Sequence, residues 1–197
     1  MTAVLLFARA PHAGRVKTRL AREIGAARAL SAYRAMGRRV SEAVAARYPL
    51  TIWYTPADAG AAMRDWLGPH RLRPQGAGDL GARLAGAFAE HFAEGPGPVI
   101  AIGADAPAVD AAVIADAERA LQTHDVALGP ARDGGYYLIG LRAPAPPLFV
   151  HIPWGGAEVM RVTVARCRSA GLSMRTLATL RDVDTAADLA AENLAVP

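Results

Sequence analysis

"AVLLFARAPHAGRVKTRL", residues 3–20, opens on an apolar run, breaks at Pro11 and Gly14, and passes into what reads as a helix start. An apolar run without alternation fits a strand buried on both faces, which is the habit of parallel sheets. The pattern then recurs. "LTIWY" (50–54), "PVIAIG" (98–103), "DVALG" (125–129), "YYLIGL" (136–141) and "LSMRTL" (172–177) read as further strands, bounded by Pro, Gly, Asp and His. Between them Leu30, Tyr33, Gly37, Val40 and Val44 recur at helical spacing, as do Leu80, Leu84, Phe88 and Phe92. Further helices are expected near 59–67, 110–122, 157–170 and 186–194. Strands alternating with covering helices predict a three-layer α/β/α sandwich with a mainly parallel central sheet. Ligands of such sheets sit beyond the carboxyl ends of the strands, so the loops that follow strands are where chemistry is expected.

The 197 residues, 52% of them hydrophobic, suit one domain over 1–197. A single cysteine, Cys167, excludes an intramolecular disulfide, and the five histidines form no zinc-like spacing. "MTAVLLFA" is too short for a signal sequence and lacks a basic leader, and no stretch is long enough to cross a bilayer. A cytoplasmic location without membrane contact is expected.

Net charge is +4 and the pI near 9.7, but the positive charge is uneven. Residues 1–50 hold ten basic residues against two acids; the remainder holds twelve against sixteen. Such concentration suits a compact polyanion such as a nucleotide phosphate at least as well as a nucleic-acid backbone, which calls for interleaved stacking aromatics, and no nucleic-acid partner is expected. Arg28, Arg34, Arg38 and Arg39 read as a solvated helix face.

The chain uses arginine 21 times and lysine once, at Lys17. Lysine offers a compact point charge suited to phosphates whose charge shifts during reaction, and Arg9, Gly14 and Arg15 share its loop. This is not a Walker A loop, since Pro11 and Val16 stand where glycines would be needed. The alternative is a basic surface loop. In "QGAGDLGARL" (75–84), three glycines beside Gln75 and Asp79 suit close approach to a base or ribose, but local pattern by itself favours a flexible loop in which Asp79 N-caps the following helix. In "IGADAP" (102–107), Asp105 follows a buried strand and suits either a hard cation or a turn. In "DVDTAADL" (182–189), Thr185 and Asp188 resemble a capping box, which leaves Asp182 and Asp184 on one side of an extended segment, where either could complete a cation site with Asp105. Asp133, Gly134 and Gly135 read as a hairpin turn, with a second role for Asp133 and the neighbouring backbone as a wall for a second substrate.

"FARAPHAGRVKTRL", "GDLGARLAGAF", "VIAIGADAP", "DVALGPARDGGYYLIGL", "IPWGGAEV" and "LRDVDTAADL", in this order, resemble a bacterial transferase family of the nucleotide-diphospho-sugar transferase fold, the glycosyltransferase A type. That family is known as a domain of unknown function or an arsenosugar-associated glycosyltransferase, and is related to molybdenum-cofactor and phospholactate guanylyltransferases. The resemblance implies a nucleotide over the first strands and Mg2+ or Mn2+ between Asp105 and Asp184. It implies triphosphate contacts from Arg9, Gly14, Arg15 and Lys17, base and ribose contacts from Gln75, Asp79, Gly81 and Arg83, and acceptor contacts from Asp133, Gly134, Gly135 and Tyr136. Ala104 and Ala106 depart from the small polar residues usual around the central aspartate, and no D-x-D stands there. The expected catalytic groups are Lys17, Arg15 and Asp105. The expected activity is divalent-metal-dependent transfer from a nucleotide-activated donor: nucleotidyl transfer from a nucleoside triphosphate to a small phosphorylated acceptor is favoured, glycosyl transfer from a nucleotide sugar is the alternative, and a nucleotide-binding module without turnover is the reading from another class.

Overall fold

The computed structural model describes residues 1–192. In chain order the elements are β1 (Ala3–Arg9), α1 (Thr18–Ile24), α2 (Ala26–Ala45), β2 (Leu50–Thr55), α3 (Gly60–Leu67), β3 (Arg71–Pro74), α4 (Leu80–Glu94) and β4 (Val99–Gly103). There follow α5 (Ala111–Ala120), β5 (Val126–Pro130), β6 (Tyr136–Leu141), a 3-10 turn at Pro146–Phe149, α6 (Val159–Ser169), β7 (Met174–Thr176) and α7 (Ala186–Ala191). Residues 193 and 194 of the expected last helix lie outside the described residues.

One seven-stranded sheet runs in the order β3-β2-β1-β4-β6-β5-β7. Pairing is parallel except for β6, which runs antiparallel to both β4 and β5. A mainly parallel sheet between helical layers is the architecture that the resemblance implies. Alternation along β1 shows why its whole run is apolar: Val4 and Leu6 face one core cluster with α2, α3 and α5, while Leu5 faces a second with α4 and α6. Both faces are covered, so neither tolerates polar side chains.

Two elements depart from the expectation. β3, with the sequence RLRP, lies at the sheet edge and turns its arginines to Glu90 and Glu94 of α4. The helix start after Lys17 is a separate short helix, broken from α2 at Gly25, whose φ of 87° ends α1.

Starting from β1 the chain winds outward through β2 to β3, then returns to place β4 on the other side of β1. This reversal opens a crevice at the carboxyl ends of β1 and β4. The loop 10–17, the loop 75–79, the segment 104–110 and the returning segment 177–185 surround it. Backbone bonds fix the last of these: Leu177 N–H donates to the Leu128 carbonyl (2.8 Å), Leu180 N–H to Pro130 (3.0 Å) and Val183 N–H to Asp105 (3.1 Å).

Candidate active site

Lys17 is the N-cap of α1 and has left-handed backbone angles, φ 47° and ψ 49°. This conformation costs a non-glycine residue about 1–2 kcal/mol. It accompanies a side chain that lies inward, 6% exposed, with Nζ 2.8 Å from Asp105 Oδ2 and 2.9 Å from Asp184 Oδ1. Arg19 Nη1 reaches the other Asp184 oxygen at 3.5 Å. Residues 88 and 167 positions from Lys17 in sequence thus meet at one ammonium.

Burial works against the Lys17 charge, but the Asp105 and Asp184 carboxylates outweigh it and hold the ammonium above its ordinary pKa. Burial also works against Asp105, and Lys17 likewise overrides it, so Asp105 stays below the ordinary carboxylate value. Although closely surrounded, 40% of the Asp105 side chain remains open. Asp182, beside buried Val183, behaves in the opposite way. Burial, followed by the charges of Asp105 and Asp133, pushes it up to about 8, and its buried Oδ1 has no hydrogen-bond partner among the described residues.

Two contiguous cavities flank this cluster and share Arg9, Tyr33 and Asp105 in their walls. The smaller, about 280 Å³, is lined by Arg15, Lys17, Arg19 and Asp184 and is cationic on one side. The larger, about 330 Å³, is lined by Phe7, Gln75, Arg83, Tyr136 and Tyr137. It is of a size to hold a small planar ligand.

The remaining residues singled out in the sequence divide. Gln75 lines the larger cavity, but its Nε2 donates to the carbonyls of Trp53 (2.8 Å) and Ala8 (3.3 Å), so only its oxygen is left for a ligand. Arg83 also lines that cavity while donating to the Gly78 carbonyl. Asp79 caps α4, accepting from Ala82 N–H at 2.8 Å, and lies outside both cavities. Gly81 is a packing residue: a Cβ there would stand 2.3 Å from the Phe149 carbonyl and 2.6 Å from the Trp154 ring. Gly14 turns the first loop with φ 73°. Asp133 closes its own turn by accepting from Gly135 N–H, and Gly134 (φ 91°) accepts from Met160 N–H where no Cβ would fit, 2.2 Å from the Ala157 carbonyl. Asp133, Gly134 and Gly135 line neither cavity, whereas Tyr136 does, with its ring edge-on to Trp154. Ala104 and Ala106 are buried and bring no polar support to Asp105.

Two wall residues did not stand out in the sequence. Tyr33 on α2 accepts a hydrogen bond from Arg9 N–H and donates one to the Arg9 carbonyl, both at 3.0 Å. Tyr137 donates to the Ala178 carbonyl at 2.9 Å and so ties the returning segment to β6.

Asp105 and Asp184 offer hard oxygens suited to Mg2+ or Mn2+, and the buried, unpartnered Asp182 oxygen lies in the same electrostatic neighbourhood. The donor set therefore fits such an ion in kind. Among the described residues, however, no group of three or more His, Cys, Asp or Glu is placed to hold one.

The family model for an uncharacterised protein conserved in bacteria, DUF2064, matches residues 36–156. The chain belongs to this family. A relative from Desulfovibrio desulfuricans G20, described as a "putative nucleotide-diphospho-sugar transferase", is 37% identical over 95% of this chain and 84% of its own, with a TM-score of 0.90. This DUF2064 chain also shares its fold with CMP:2-keto-3-deoxy-manno-octonic acid synthetase complexed with CTP: 16% identity, 97% and 96% of the two chains, TM-score 0.55. The 4-diphosphocytidyl-2C-methyl-D-erythritol synthase of Anaerococcus prevotii DSM 20548 is similar too, at 10% identity over 98% and 97%, TM-score 0.59. No curated protein matches. Among the described residues, no helix is long and apolar enough to cross a membrane.

Proposed function

We propose that this transferase moves a nucleotidyl group from a nucleoside triphosphate to a small phosphorylated acceptor, assisted by Mg2+ or Mn2+. The observation that carries the proposal is the meeting of Lys17, Asp105 and Asp184 within 3 Å contacts, between a cavity of nucleoside size and a smaller cationic one. The base would occupy the larger cavity, with the Gln75 oxygen as an acceptor for a ring or amino N–H. The phosphate chain would pass Arg9 into the smaller cavity, toward Arg15, Lys17 and Arg19. Asp105 and Asp184 would hold the divalent ion, whose chemistry is to polarise phosphoryl oxygens and neutralise their charge. An oxygen of the acceptor phosphate attacks the α-phosphorus, the bond to the bridging oxygen of the β-phosphate breaks, and pyrophosphate leaves with its charge met by Lys17 and Arg15.

Glycosyl transfer from a nucleotide sugar is the second reading, favoured by the description of the 37% identical relative. Four cations around one phosphate cavity, Arg9, Arg15, Lys17 and Arg19, suit three phosphates better than two. The test is incubation of the protein and Mg2+ or Mn2+ with each nucleoside triphosphate and a panel of small phosphorylated acceptors. Pyrophosphate release is expected with one base, and Asp105→Asn should lower it by at least about 10²-fold while leaving the circular dichroism unchanged. Unaltered release in that variant would remove Asp105 from the mechanism. Release of nucleoside diphosphate from nucleotide sugars instead would establish glycosyl transfer.

A further inference from the structure

We propose that this site takes its divalent cation only as part of a cation–polyphosphate complex, because Lys17 fills the place between Asp105 and Asp184 that a free cation would need. The inference rests on the reading of these two aspartates as the protein ligands of the cation.

Three observations carry it. The ammonium lies 2.8 Å and 2.9 Å from one oxygen of each carboxylate, so a divalent ion bridging the two groups would be pressed against a like charge. Among the described residues Lys17 is ion-paired with no acid besides these two, so without another anion beside it the 6%-exposed ammonium gains nothing by leaving them. Finally, no group of three protein ligands exists among the described residues. Two carboxylates leave an octahedral ion short of oxygens, and water and substrate phosphates are the usual supplementary sources.

A polyphosphate entering the adjoining cavity changes both terms. It offers Lys17 a new anionic partner on the side of Arg15 and Arg19, and it brings oxygens for the cation. The two carboxylates lose the ammonium as they gain the metal. Binding of cation and polyphosphate is thereby coupled, and by linkage the coupling is reciprocal.

The full chain, stripped of metal, would be titrated with Mn2+ alone, with inorganic tripolyphosphate alone and with premixed Mn2+–tripolyphosphate. Free Mn2+ would be read by electron paramagnetic resonance and heats by calorimetry. Wild type should bind Mn2+ alone at least tenfold more weakly than it binds the premixed complex. Lys17→Met should bind Mn2+ alone at least tenfold more tightly than wild type, Lys17→Arg should remain as weak as wild type, and adding Asp105→Asn to Lys17→Met should cancel the gain. If Lys17→Met fails to fold, judged by its thermal transition, Lys17→Gln replaces it, and the wild-type comparison stands by itself. Tight binding of Mn2+ alone to wild type, equal to Lys17→Met and lost with Asp105→Asn, would overturn the coupling while leaving the metal-assisted transferase intact. No Mn2+ binding by any variant, together with a complex bound no better than tripolyphosphate, would overturn both.

Discussion

Arg9 shows how a single hydroxyl supports the site. β4 pairs with β1 only as far as Phe7↔Gly103, so beyond that point the Arg9 N–H and carbonyl lack a strand partner on that side. Tyr33 serves both with one hydroxyl, and burial holds that hydroxyl well above its ordinary pKa, so it stays a neutral donor and acceptor. Tyr33→Phe keeps the ring packed on Trp66 but strands two part-buried backbone groups. A loss of about 1–3 kcal/mol is expected in urea unfolding, with a rise in donor KM larger than the fall in kcat, since Arg9 lies where the two cavities join. A variant as stable as wild type with unchanged KM would remove Tyr33 from the site. This residue was illegible beforehand because an aromatic at helical spacing signals core, and Tyr33 is also core. The meeting of Lys17, Asp105 and Asp184 was legible for the opposite reason: a lone lysine among 21 arginines, a carboxylate directly after an apolar run, and an aspartate that the capping box leaves over serve no packing purpose. The glycine-rich loop offered a cap and a ligand contact side by side. Asp79 and Gly81 belong to the cap and the packing of α4, and residue type alone does not separate a cap from a ligand contact.

At the level of elements, strands with two buried faces announce themselves, and edge strands do not. The six expected strands are found, but β3 hides its four residues behind two arginines whose charges are met by α4. β7, the opposite edge, is only three residues long and leans on a side-chain clasp. Asp125 accepts from Ser173 N–H (2.9 Å), from the Ser173 hydroxyl (2.6 Å) and from Arg142 (2.7 Å), joining the start of β5, the end of β6 and the approach to β7. Hydrogen bonds from Ser173, then the charge of Arg142, hold the Asp125 carboxyl below its ordinary value of 3.8. The folded state therefore binds this proton less readily than the unfolded chain does. The clasp contributes fully above the unfolded value and is lost as pH falls through the lower folded one. Asp125→Asn is expected to lower the urea midpoint at pH 7, and the gap from wild type should narrow once pH drops below about 4. A gap that is constant from pH 7 to pH 3 would show that the ionised carboxylate contributes nothing there.

Over the whole molecule, the charge imbalance resolves into two populations. Arg28, Arg34, Arg38 and Arg39 are exposed along α2 and away from the cavities, whereas Arg9, Arg15, Lys17 and Arg19 line one cavity between them. Only the second group can be compensated by a bound ligand, so ligand binding should stabilise the fold in proportion to the phosphates it delivers. In the presence of Mn2+, the gain in melting temperature should rise from nucleoside to monophosphate, diphosphate and triphosphate of the preferred base. At a ligand concentration about 100 times Kd the stabilisation is about 2.7 kcal/mol, which for a chain of this size is about 5–10 °C. Partial exposure of the cavity makes the gain salt-dependent: raising ionic strength from about 0.1 M to about 1 M shortens the screening length from about 10 Å to about 3 Å and should shrink the triphosphate gain more than the nucleoside gain. Equal stabilisation by nucleoside and triphosphate would place the binding energy in the larger cavity alone and deprive the four cations of their role. A nucleotide sugar stabilising more than the triphosphate would instead mean that a third phosphate finds no partner, and the chemistry would then be glycosyl transfer.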